Sequence, residues 1–198
     1  WLDNRLTANA VVYYIDWTDI QLRTWDSATF TRRIQNVGEA EVLGLETEIR
    51  YQTTENLHLS INYSYVDATL AEDFLDTSTT PPTVTAAKGD TLPGSSKHTF
   101  SLLADWQRSL TSSLDLQANA SYIYTGSRPN SLTNNLFPDI PRVELVDLSV
   151  GVSHDNGVTV SLFAKNLFDE RSIQTQGGLG TALISEGLNR PRTIGLNA

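Results

Sequence analysis

Leu57-His58-Leu59-Ser60-Ile61-Asn62-Tyr63-Ser64-Tyr65 alternates without a break. Its odd positions are all apolar or aromatic, and its even positions are all polar. Successive side chains of an extended chain point to opposite faces, so a period of two predicts a strand with one apolar and one polar face. A helix would scatter the same residues around its circumference.

The split recurs in Leu114, Leu116, Ala118, Ala120, Tyr122 and Tyr124 against Asp115, Gln117, Asn119 and Ser121. That run is as long as the roughly 9–11 residues a tilted strand needs to cross a bilayer. Residues 43–52 set Leu43, Leu45, Thr47, Ile49 and Tyr51 against Gly44, Glu46, Glu48, Arg50 and Gln52, and the charges on the second face call for water. Shorter alternations follow at Phe100–Trp106, Val146–Val152, Val158–Ala164 and Ile194–Ala198. Residues 5–17 are blurred, because Val11, Tyr13 and Ile15 oppose Ala10, Val12 and Tyr14.

These patterns predict eight strands, at residues 5–24, 30–52, 57–70, 97–107, 112–126, 142–153, 158–168 and 190–198. Thr53–Asn56, Arg108–Thr111 and His154–Gly157 read as tight connections, the last with an Asn-Gly hairpin signal. Residues 71–96 contain Pro81-Pro82 and Pro93-Gly94, residues 127–141 contain Pro129, Pro138 and Pro141, and residues 169–189 contain Gly177, Gly178, Gly180 and Gly187. Proline lacks the donor that a ladder needs, and all three stretches are expected as long loops. Short turns alternating with long loops leave one end of a sheet trimmed and the other elaborated, as in transmembrane barrels. The expected fold class is therefore all-β, an antiparallel transmembrane β-barrel segment of about eight meandering strands.

Ring positions agree with that topology. Tyr63, Tyr65, Tyr122 and Tyr124 fall on the apolar face at long-loop ends, and Tyr51 and Trp106 at short-turn ends, where two interfacial girdles would lie. Tyrosine and tryptophan also simply favour strands.

The 198 residues carry a net charge of −9 and no cysteine, which excludes thiolate metal sites and disulfides and makes nucleic acid an unsuitable partner. No apolar run approaches the ~18 residues of a transmembrane helix, which is normal for strands whose two faces alternate. The chain opens at Trp1 with no signal-peptide pattern, so Trp1 is expected not to be the native start.

Several motifs carry a family resemblance. Asn36-Val37-Gly38 followed by Gly44-Leu45-Glu46 resembles a descending barrel strand of TonB-dependent outer-membrane receptors, and Tyr13–Trp17 with Asp19-Ile20-Gln21 resembles the ascending strand before it. Leu92–His98 is similar to the end of a long external loop, and Asn166-Leu167-Phe168-Asp169 to a signature near the end of the family's barrels. Asn189–Ala198 resembles the last strand, cut about four residues short of the family's terminal aromatic residue. The resemblance implies that residues 1–198 are the C-terminal portion of a barrel of about 22 strands, without its plug domain. It further implies a nutrient receptor of the outer membrane of a Gram-negative bacterium. Its partners would be outer-membrane lipid, a small ligand such as a siderophore, cobalamin or saccharide, and the TonB energy-coupling complex, reached through the missing N-terminal region.

No catalytic residue, cofactor-binding residue or metal ligand is assigned, no cofactor is expected, and the ligand-contacting residues are left unknown. His58, His98 and His154 lie on different elements without ligand spacing. Gly177-Gly178-Leu179-Gly180 lacks the strand, helix and Lys-Ser pair of a phosphate loop and reads as a flexible loop. Glu46 and Glu48 can be drawn as an acid–base pair, but wall charges beside a lumen, with Arg50 as partner, are the better reading. Two other hypotheses stay open: an independent eight-stranded outer-membrane barrel, and a soluble lipocalin-like barrel with its apolar face inward.

Overall fold

The computed structural model describes residues 2–26, 31–76, 80–132, 138–179 and 183–198. Eight antiparallel strands form one sheet: β1 (Leu6–Trp17), β4 (Ala40–Thr54), β5 (Leu57–Leu70), β8 (His98–Ser109), β9 (Leu114–Thr125), β10 (Val143–His154), β11 (Thr159–Lys165) and β14 (Thr193–Asn197). Their spatial order follows the chain, and β1 and β14 stand at opposite edges, so the sheet does not close on itself. Three two-stranded ribbons lie between them: β2 (Gln21–Asp26) with β3 (Thr31–Asn36), β6 (Phe74–Asp76) with β7 (Thr83–Ala86), and β12 (Ile173–Leu179) with β13 (Leu183–Leu188).

All eight expected strands are present, and the register extends their alternation across the sheet. Leu6, Tyr51, Leu59, Ala104, Ala120, Leu148, Ala164 and Ile194 stand directly opposite one another in a single row. The adjacent row reads Thr7, Arg50, Ser60, Leu103, Ser121 and Asp147. A slip of one residue in any pair would put polar groups into the apolar row. Among the described residues nothing covers that face: Val12 is 72% and Leu196 73% exposed.

Four expectations need correction. The stretches 5–24 and 30–52 are each broken, at residues 18–20 and 37–39, and their outer parts form β2 and β3; residue 30 lies outside the described residues. Asp19 (φ 54°) and Gly38 (φ 100°) take left-handed conformations there, and Asn36 ties the joint by donating to Asp19 Oδ1 at 2.9 Å and accepting from Gly38 N at 3.0 Å. Residues 71–96 and 169–189 are not plain loops, because they contain β6–β7 and β12–β13. The prolines only punctuate the first of these, and Gly177 is part of β12, not of a flexible loop; Gly180 lies outside the described residues. The turn expected at 108–111 comes later, since β8 runs on to Ser109 and Leu110 N bonds Leu114 O. The Asn-Gly turn spans three residues, with His154 N on Val158 O and only Gly157 at positive φ.

The buried core lies on the opposite side from the apolar face. Val42, Ala68 and Leu70 belong to the polar parity of β4 and β5, at the loop end. They pack with Ile20 and Val37 from the broken joints, Ala86 from β7 and Leu92. The segment after β7 is held in place by Leu92 N on Ala68 O and Leu70 N on Asp90 O, so this loop returns alongside the end of β5 and brings Leu92 into the core. Gly44 has a specific reason: a Cβ there would meet the Tyr13 ring of the neighbouring strand at 2.0 Å. Tyr13 leans on that space and on the core.

Candidate functional site

The polar face below this core carries a lattice of cross-strand bonds. Asn9 Nδ2 donates across to Glu48 Oε2 at 3.3 Å, and within β4 itself Arg50 meets Glu48 Oε1 at 2.6 Å. Asn62 donates to Ser101 Oγ at 3.2 Å. Asn119 donates to Asp105 and accepts from Ser149 Oγ at 3.3 Å, while Gln107 and Ser109 donate to Asp115 at 3.2 and 2.7 Å. The register that stacks apolar side chains on one face brings these partners together on the other. Most are exposed, so each pair alone adds little stability.

Two open hollows lie on this face. The first, of about 450 Å³, is lined by Asn9, Val11, Glu46, Glu48, Asn62 and Ser64 among others. The second, of about 410 Å³ and nearer the short turns, takes in His58, Asp105, Gln107, Gln117 and Asn119. The amide, imidazole and carboxylate groups of the second hollow present a hydrogen-bonding wall, whereas the first also takes in Val11, Phe100 and Ile123. The expected Glu48–Arg50 contact is made, whereas Glu46 faces the first hollow with no partner among the described residues.

The three histidines lie in different surroundings. His58 lines the second hollow, His98 Nδ1 lies 2.9 Å from Tyr63 Oη on the apolar side, and His154 Nδ1 accepts from Asn156 N within its turn. Among the described residues, no group of three or more His, Cys, Asp or Glu is placed to hold a metal ion.

At the loop end of the apolar face, rings and charges meet. Tyr65 and His98 rings are 5.3 Å apart, and Phe100 and Tyr122 rings 6.0 Å. Tyr65 Oη donates to Asp67, which Lys97 meets at 2.8 Å; Tyr122 Oη donates to Glu144, which Arg142 meets at 3.3 Å. Tyr65 and Tyr122 thus each have an apolar body on the sheet and a polar tip bonded to a carboxylate near the loops.

A junction that sequence reading did not reveal joins β11 to β14. Asn166 (φ 50°, 5% exposed) donates through Nδ2 to Glu170 O and Arg190 O, both at 2.9 Å, and its Oδ1 accepts from Glu170 N at 2.8 Å. Asp169 Oδ1 accepts from Arg192 N and Asn189 Oδ1 from Ser172 N, both at 2.8 Å. Residues 166–169 and 189–192, read separately in the sequence, are two halves of one clasp at the base of β12–β13. The available signal was residue type: Asn and Asp tolerate left-handed backbone and bond main-chain groups.

The family model described as "TonB dependent receptor-like, beta-barrel" matches residues 1–167. The metal-pseudopaline receptor CntO of Pseudomonas aeruginosa is 28% identical over 137 residues, which make up 69% of this chain and 18% of CntO. The ferric yersiniabactin uptake receptor FyuA from Yersinia pestis superposes with a TM-score of 0.75 at 19% identity, covering 98% of this chain and 27% of FyuA. For the siderophore receptor PiuA from Acinetobacter baumannii the TM-score is 0.72 at 19% identity, over 99% of this chain and 26% of PiuA. The chain therefore spans less than a third of each of these proteins, and the two superpositions establish likeness of fold.

Proposed function

The chain belongs to the TonB dependent receptor-like β-barrel family, and from that premise we propose that residues 1–198 are the C-terminal portion of the barrel wall of an outer-membrane uptake receptor in a Gram-negative bacterium. The scarce nutrient is a metal chelate such as a siderophore complex, in preference to cobalamin or a saccharide, by analogy with the metal and siderophore receptors it resembles. A longer chain supplies the remaining strands, the plug and the contact with the TonB complex. This part contributes wall and external loops and no catalysis.

The uncovered apolar face carries this reading. In water it would be a large associating patch; in a bilayer, acyl chains cover it while the ladder bonds the backbone groups of the six inner strands, and the further strands of a full barrel would bond the outer edges of β1 and β14. The Tyr63–His98 and Tyr122–Glu144 contacts then fall at the outer interface, and the Glu48–Arg50 and Asp105–Asn119 lattice faces the lumen. A lipocalin-like barrel is not favoured, because the packed core lies on the polar-parity side. An independent eight-stranded barrel is not favoured either, because β1 and β14 do not pair.

These 198 residues hold no cysteine, so single cysteines placed among them, in a full-length receptor freed of any cysteine elsewhere, can report the topology. Cysteine at Leu59 or Leu116 is expected to resist a water-soluble thiol reagent, and cysteine at Ser60 or Gln117 to react wherever the lumen is wet. Ready labelling at Leu59 and Leu116 would overturn the membrane assignment. For transport, deleting the full-length gene is expected to reduce uptake of one radioactive metal chelate to near background, with growth in replete medium unchanged. Unaltered uptake and growth under every metal limitation would refute the uptake reading.

A further inference from the structure

Building on the uptake reading above, which sets the short turns at the inner side of the membrane, we propose that the apolar face binds one anionic phospholipid of the inner leaflet. Its acyl chain lies in a furrow that crosses the strands from β8 to β14, and its phosphate meets Trp106 and Arg108. The furrow holds about 560 Å³. Ala104, Ala118, Ala120 and Ala164 keep its surface low, while Trp106 and Leu148 rise beside them. The register makes it continuous: Ala104 stands opposite Ala120, Ala120 opposite Leu148, Leu148 opposite Ala164, and Ala164 opposite Ile194. Four strand spacings give it a length of roughly 19 Å. A lipid tail spans half of the ~30 Å hydrocarbon core, so one tail fits within that length.

The residues beyond the furrow select the lipid. Ala104, Trp106 and Arg108 follow one another on a single face of β8, about 7 Å apart, and lead toward the short turn that Leu110 N closes on Leu114 O. Apolar surface, indole and guanidinium come in the order in which a phospholipid presents tail, ester and phosphate. Among the described residues the Trp106 indole N–H has no acceptor and Arg108 no ion pair. Trp106 and Arg108 also border the second, lumen-side hollow, but their parity is that of Ala104. Asp105 and Asp115, near Arg108 in the register, belong to the other parity and are engaged there by Asn119, Gln107 and Ser109.

Arg108 is exposed, and a guanidinium takes a phosphate through two parallel bonds. The ammonium group of a zwitterionic lipid competes with Arg108 for that phosphate and repels it, so the charge favours a lipid of net negative charge. A second protein chain would have to fill the furrow and also supply an anion at the right depth. A phospholipid brings both in fixed order.

The test uses the full-length receptor, purified in non-ionic detergent and freed of lipid, and counts bound dioleoyl-phosphatidylglycerol by native mass spectrometry. One molecule is expected to be retained at concentrations where phosphatidylethanolamine and phosphatidylcholine are not. Arg108→Gln is expected to weaken this binding about 10-fold, and Arg108→Lys to recover part of the loss. Ala120→Phe, which fills the furrow and leaves the cation in place, is expected to weaken it by as much. Val12→Phe, on the same face but outside the furrow, should leave it unchanged. Heat-dependent gel migration checks that each barrel is folded. Equal retention of the zwitterionic lipids, unaltered binding by either Arg108→Gln or Ala120→Phe, or an equal loss from Val12→Phe overturns the proposal and leaves the uptake reading standing. Preferential retention of lipopolysaccharide, lost on the same substitutions, also overturns it and assigns the furrow to the outer leaflet. Ready thiol labelling of cysteines at Leu59 and Leu116 overturns the membrane placement on which it rests.

Discussion

Asn166→Ala in the full-length protein is expected to destabilise the barrel by about 3–4 kcal/mol, the sum of buried backbone groups left unbonded and an alanine forced to positive φ. Three side-chain bonds disappear together, to Glu170 O, Arg190 O and Glu170 N, and little water can replace them at a residue only 5% exposed. Urea unfolding in lipid vesicles measures the loss. Asn166→Asp keeps the tolerance for left-handed backbone but turns a carboxylate oxygen toward Glu170 O and Arg190 O, and is expected to lose at least as much. A loss below about 1 kcal/mol for the alanine variant would show that the β11–β14 clasp does not hold the barrel together.

Acid probes the same clasp. The Arg192 N–H holds the Asp169 carboxyl below its ordinary value; desolvation opposes it, and the Arg171 side chain adds to the lowering. A carboxyl lowered on folding contributes stability above its unfolded pKa and loses it as pH falls through the folded one. The stability curves of the native protein and Asp169→Asn are therefore expected to converge only in strong acid.

Ile61→Arg is the second large effect. Ile61 stands between Ile49 and Leu102 in the apolar rows, midway between the Trp106 level and the His98 level. An arginine on the lipid face near the bilayer midplane costs about 2–4 kcal/mol. Ser64→Arg, on the polar face opposite Glu46 and Thr99, is expected to stay within about 1 kcal/mol. Equal losses at the two positions, measured by unfolding in vesicles, would contradict the assignment of faces.

The alternation of Leu57–Tyr65 and Leu114–Tyr124 was sufficient for the strands, their parity and the contrast of short turns with long connections, because a period of two belongs to the local backbone. The Glu48–Arg50 contact was legible for the same reason, as neighbours two apart on a strand share a face. Where a second face is buried, the local signal became ambiguous. Val11, Tyr13 and Ile15 blur the pattern of β1 because one of them, Tyr13, packs over Gly44 against the core. In β5 the apolar parity passes from the odd residues to Val66, Ala68 and Leu70, and only the return of Ala86 and Leu92 supplies the reason. The breaks at Asp19 and Gly38 and the clasp from Asn166 to Arg192 likewise depend on partners about 20 residues away. Sequence determined what each strand offers to its two sides. Tertiary structure decided which side another segment covers, because burial is settled by what comes to lie against a surface and not by the order of residues along it.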